Sequence, residues 1–238
     1  MHTIAVRSRR IAQAILAIVL ALLLASTIGQ LATYRFNNRY VRTSVDLFSL
    51  NGEANVPSWF ASICLLLCAQ LLAVVAVGAK RSGDRWWKHW LGLAGLFVLL
   101  SLDEIASLHE LADDPVREVL GVGGLLYWAW VVPGMLFVAL VGLIHVRFVL
   151  SLPGSIRNLF ILSAALYVGG AIGVEMPGGA WFEGHGRDMV YALLWTIEET
   201  LEMLGVTMFM YALLRHLEDR AGVVTLELAE DPEPQRAA

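Results

Sequence analysis

Apolar residues gather into six long runs, at 11–32, 57–79, 88–112, 124–150, 156–176 and 188–215, divided by short polar stretches. Each run reaches the ~20 residues that carry a helix across a bilayer. The pattern predicts an all-α fold, a polytopic bundle of six transmembrane helices. Pro57 is placed to open the second helix and Pro133 to kink the fourth. Residues 33–56 form the one long connection, and no internal repeat is evident.

Composition agrees with this reading. The chain has 238 residues, 58% hydrophobic and 16% charged, with a mean hydropathy of +0.65, above the range of an ordinary soluble domain. Residues 1–217 are expected to form the transmembrane domain. From 218 to 238 the apolar pattern lapses and acid and proline accumulate, predicting a flexible acidic tail. The net charge of −4, with no basic face, gives no reason to expect nucleic acid as a partner.

Charge placement orients the bundle. Of the 17 Lys and Arg, twelve fall on the side shared by both termini, including Arg7, Arg9, Arg10, Lys80, Arg81, Arg85 and Lys88, and five on the other side. Both termini are therefore predicted to be cytoplasmic, with the chain integral to a bacterial-type plasma membrane. The stretch "WWKHW" at 86–90 fits an inner aromatic and basic girdle, and Trp59, Trp128 and Trp181 an outer one. A basic start before "LLLAST" also fits a cleaved leader, but the run is long for one, and the first span is expected to be retained. Cys64 and Cys68, four apart on one helix face, read as buried thiols acting as small hydrophobes.

Against this apolar background, "SLDEIASLHE" at 101–110 puts three carboxylates and a histidine in the third run. From His89 to Leu102 a helix rises only about 21 Å, against a hydrocarbon core of about 30 Å, so it is predicted to continue through the acids to Ala112. In the last run "EETLE" lies between two apolar pieces each too short to cross alone, so Glu198, Glu199 and Glu202 are also expected inside the membrane. Glu175 is expected at the outer end of the fifth. Counted from the outer helix ends, Asp103 and Glu198 both lie about 14–15 Å deep. On each helix the acids form a stripe, with Asp103, Ser107 and Glu110 within about 60°.

An unpaired acid at the bilayer centre costs ~2.5–3.5 kcal/mol, and no span offers Lys or Arg at that depth to offset seven of them. The candidates are protonation of some and bound cations. An oxygen-rich set with one or two imidazoles points to a divalent metal ion at one or two sites, with Fe, Mn, Mg and Zn not distinguished. The expected ligands are Asp103, His109, Glu110, Glu175, Glu199 and Glu202; Glu104, His109 and Glu198 are the expected catalytic or proton-shuttling groups. Glu53 and the loop residue His185 are candidate additions.

In ligand chemistry Glu199-x-x-Glu202 partly resembles the di-iron carboxylate bundles, with Glu where their Glu-x-x-His motif has histidine. "HELAD" at 109–113 is similar to the zinc-protease pattern, with Asp113 in place of its second histidine. His89, His145 and His216 lie near the inner interface and read as ordinary interfacial histidines rather than haem ligands. No buried lysine supports a retinal Schiff base.

These observations lead to the expectation of a membrane protein with a carboxylate and histidine cation site open to the extracytoplasmic side, a metal-dependent enzyme acting on a lipid or other hydrophobic small molecule. A proton- or cation-coupled transporter is the alternative. A structural protein with hydrogen-bonded neutral carboxyls is the third reading, and it accounts poorly for seven acids.

Overall fold

The computed structural model describes residues 2–35, 45–221 and 224–228. Its helices are α1 (Ser8–Arg35), α2 (Val56–Arg81), α3 (Trp87–Ala106), α4 (Asp113–Leu120), α5 (Val131–Ser151), α6 (Gly154–Val168), α7 (Glu175–His185) and α8 (Met189–Ala221). A π-helical turn, Gly169–Val174, joins α6 to α7 without a break. A short antiparallel ribbon pairs β1 (His2–Val6) with β2 (Val224–Leu228), His2 opposite Leu228 and Val6 opposite Val224. The expected domain boundary at 217 thus falls within α8. Residues 229–238, the rest of the expected tail, lie outside the described residues.

Among the described residues, five helical segments are long and apolar enough to cross a membrane: Ser8–Thr33, Val56–Arg81, Trp87–Ala106, Val131–Ser151 and Gly154–His185. α8, at 33 residues, has the length but is interrupted by glutamates. It is also the most enclosed helix, packing against α1, α2, α6 and α7.

Local chemistry explains several boundaries. Asn55 caps α2 reciprocally with Ser58: its side chain accepts the Ser58 N–H at 3.1 Å, while its own N–H donates to Ser58 Oγ at 3.0 Å. Pro57 occupies the first turn, as expected. Pro133 also lies in a first turn, because α5 begins at Val131; its missing N–H therefore costs nothing and it produces no mid-span kink. Pro177, three residues beyond the π turn, does not stop its helix. Widening the turn before it is one way to avoid the clash of its ring with the preceding carbonyl.

Small and hydroxylated residues bring the helices close. Ser62 Oγ donates to the Ser101 carbonyl at 2.8 Å and Ser101 Oγ to the Ser62 carbonyl at 2.9 Å, joining α2 to α3. Between the α6–π segment and α8, Gly170 and Gly205 set the approach. A Cβ on Gly170 would stand 2.7 Å from the Glu198 carbonyl oxygen, and one on Gly205 2.8 Å from the Tyr167 nitrogen. Gly169 and Gly173 have the small-x-x-x-small spacing that predicts close helix contact. Both have open space where a Cβ would go, so the contact is made one residue over.

Toward the end of the bundle where the α2–α3 loop lies, an aromatic core forms around Trp90. Its ring meets Phe148 edge-on at 4.8 Å and lies 5.0 Å from the His216 ring. Cys64 and Cys68 are buried free thiols in the same core. Lys80, Arg81, Arg85, Lys88, Arg147, Arg157 and Arg215 gather near this end, called here the basic end; the acids of interest lie toward the other.

Candidate functional site

α3 stops sooner than its apolar run. Starting at Trp87, its 20 residues span about 30 Å without help from residues 107–112. Ser107 then takes a left-handed conformation (φ 49°), its N–H donating to the Asp103 carbonyl at 2.7 Å, and the chain turns into a short 3₁₀ segment, His109–Ala112. The prediction of a helix through Ala112 is thereby corrected. Asp103 and Glu104 lie in the last turn of α3, about 5 Å from its end rather than 14 Å deep.

This reversal gives Asp103 a specific partner. Its Oδ1 accepts the His109 backbone N–H at 2.8 Å, and its Oδ2 lies 3.0 Å from His109 Nδ1. Holding Nδ1 against a carboxylate fixes the ring and directs Nε2 away, an arrangement that orients metal-ligating imidazoles. Burial works against charge on His109, but the Asp103 contact outweighs it and raises the pKa. Trp130 packs over the same ring at 4.6 Å.

Around His109 one candidate metal group assembles among the described residues. Glu53, His109 and Glu110 each offer a ligand atom, all within 4.8 Å of one another. Both glutamates are exposed and His109 is half-buried. Burial, followed by the neighbouring Glu53 carboxylate, holds the Glu110 pKa above the ordinary carboxylate range. Leu108 and Leu111, on either side of the pair, are 36% and 72% exposed, so the group has an apolar border.

A second group lies between α7 and α8. The α6–α7 helix runs on to His185, so Glu175 is not at an outer end as expected but ten residues inside it. Glu198 lies ten residues beyond Asp188 on the antiparallel partner. Equal distances from one hairpin bring the two carboxyl groups beside each other. Trp130 Nε1 donates to Glu175 Oε1 at 3.1 Å, linking this pair to the His109 ring.

The third group lines a small cavity of about 10 Å³, room for about one water. Glu104 of α3, Tyr167 of α6, and Glu199 and Glu202 of α8 supply its polar wall. The single expected site is thus divided. Acids of α3 and α8 do meet, but through Glu104 rather than Asp103, and Glu199 and Glu202 do not join His109 and Glu110.

Other candidates take structural positions. Asp113 is not poised as a ligand beside His109 and Glu110: its Oδ1 accepts the Trp130 N–H at 2.8 Å and its Oδ2 pairs with Arg117 at 3.3 Å. The segment is 3₁₀ rather than α-helical, so the register that the zinc-protease pattern needs is not formed. His185 stacks on Trp181 at 4.1 Å and is not part of the Glu53, His109 and Glu110 group. Tyr167 and Trp130 join these groups without a signal in the sequence, since neither carries a charge that marks it against the apolar runs.

Apolar spans around an enclosed set of carboxyl groups define the class, a helical membrane protein. A family model, Domain of unknown function (DUF8692), matches residues 13–217, and the chain belongs to that family. No curated protein and no solved structure matches it.

Proposed function

We propose that this chain is an integral membrane protein that binds a divalent cation through Glu53, His109 and Glu110 and uses it on a lipid or other hydrophobic substrate. The observation that carries this reading is the Asp103–His109 contact: with Nδ1 engaged at 3.0 Å, Nε2 is the nitrogen left for a cation between two carboxylates. Two carboxylates and one imidazole suit Mn, Fe or Zn. A cation held there would polarise an oxygen or activate water. The exposed Leu108 and Leu111 supply an apolar border that suits a hydrophobic substrate.

In this reading α8 is the sixth span, its glutamates turned inward. The basic end is cytoplasmic by the excess of Lys and Arg, which places the site on the outer face of a bacterial-type plasma membrane. The test is metal analysis after loading with Mn(II) and dialysis. About one equivalent should remain on the wild type and on the Glu199→Gln/Glu202→Gln variant, and be lost from His109→Ala and Glu110→Gln. Metal held equally by His109→Ala would overturn the assignment.

The neighbouring carboxyl groups of Glu175 and Glu198, together with the cavity of Glu104, Glu199 and Glu202, favour a second reading, proton- or cation-coupled transport. That reading requires pH-dependent cation uptake by proteoliposomes, abolished in Glu199→Gln/Glu202→Gln.

A further inference from the structure

At the basic end a groove of about 580 Å³ opens between the α2–α3 loop, α3 and α5, lined by Arg85, Trp86, His89, Arg147, Leu150 and Ser151. Its walls carry two guanidiniums and an imidazole and no carboxylate. Among the described residues neither arginine forms an ion pair. The acid next in sequence, Asp84, is occupied: it accepts the Trp86 N–H at 2.9 Å and meets Arg220 at 3.4 Å.

The groove has a fixed frame. Arg85 lies over the Trp86 ring at 4.6 Å. His89 stacks on Phe148 at 5.4 Å and 10°, and meets the rings of Trp86 at 5.0 Å and His145 at 5.2 Å edge-on. Such a frame limits the conformational freedom lost when an anion binds. Below the cations the wall becomes apolar. α5 buries only Val131 and Phe148, leaving Leu150, Val146 and Leu143 exposed at 57%, 46% and 76% along the side that continues from the groove.

Cations at the level of the Trp86 and Trp87 girdle, above an exposed apolar helix face, match an amphiphile with a phosphate head. We infer that this groove is a binding site for the phosphate headgroup of an anionic phospholipid, whose acyl chains lie along α5. A choline or ethanolamine head would bring its own cation to a wall that has no carboxylate for it. Free inorganic phosphate shares the phosphate chemistry but makes no use of the apolar wall.

The test uses the full-length protein in detergent, titrated with dioleoyl phosphatidylglycerol, dioleoyl phosphatidylcholine or inorganic phosphate and followed by native mass spectrometry. Phosphatidylglycerol should bind about tenfold more tightly than phosphatidylcholine, and excess inorganic phosphate should not displace it. The Arg85→Gln/Arg147→Gln variant should lose about tenfold of that affinity, whereas Arg157→Gln, a change at the same end outside the groove, should lose none. Equal binding of both lipids, an unaltered double variant, or displacement by inorganic phosphate at equal concentration would each overturn the inference. If the double variant does not fold, Arg147→Gln alone, on the exposed side of α5, gives the same readout.

Discussion

Replacing Gly170 by alanine tests whether α8 lies against the π turn as closely as the site requires. The new Cβ would stand 2.7 Å from the Glu198 carbonyl oxygen, 2.8 Å from Glu202 Cγ and 3.3 Å from the Glu202 nitrogen. Two of these are backbone atoms and cannot rotate away. Restoring an ordinary contact of about 3.5 Å means parting the helices by roughly 0.8 Å. Overpacking of this kind costs about 1–3 kcal/mol, offset by up to about 1 kcal/mol from the helical preference of alanine over glycine. Gly173→Ala is the control, because it shares the preference term and has open space. Unfolding titrations of the detergent-purified variants should therefore place Gly170→Ala about 1–3 kcal/mol below Gly173→Ala. A Gly170→Ala protein as stable as its control would refute the packing, and with it the placement of Glu198 and Glu202.

Asp103→Asn should keep the fold but weaken cation affinity roughly 10- to 100-fold, by calorimetry, through loss of the carboxylate that orients His109. Because contact with Asp103 raises the His109 pKa, protons compete with the cation, and wild-type affinity should climb with pH through that titration; an affinity flat across it would count against His109 as a ligand. At the basic end Glu218 accepts the Ser8 N–H at 2.6 Å and Ser8 Oγ at 2.7 Å, which hold its pKa below the ordinary value. A lowered folded-state pKa stabilises above the unfolded value, about 4.3, and that stability is lost as pH falls through the folded value. Thermal melts of Glu218→Gln should lack this acid-limb component; an acid limb identical to wild type would exclude the contact.

Much of this was legible from residue type and spacing. The apolar runs located the five helices long and apolar enough to cross a membrane, Pro57 marked the start of α2, and the want of basic partners singled out the acids. What escaped was chain geometry that no helical wheel contains. Ser107 ends α3 in a left-handed turn usually signalled by glycine, so the reversal that folds His109 back onto Asp103 left no mark. The fifth apolar run stops at 176, with Glu175 expected at its outer end, whereas a π turn carries the helix on to His185 and moves Glu175 opposite Glu198.

Pulsed electron paramagnetic resonance on protein loaded with one equivalent of Cu(II) tests most directly the claim that Glu53, His109 and Glu110 together hold a cation. The remote nitrogen of a single coordinated imidazole should modulate the wild-type echo, and that modulation should vanish in folded His109→Ala. Undiminished modulation in His109→Ala, or none in the wild type, would contradict it.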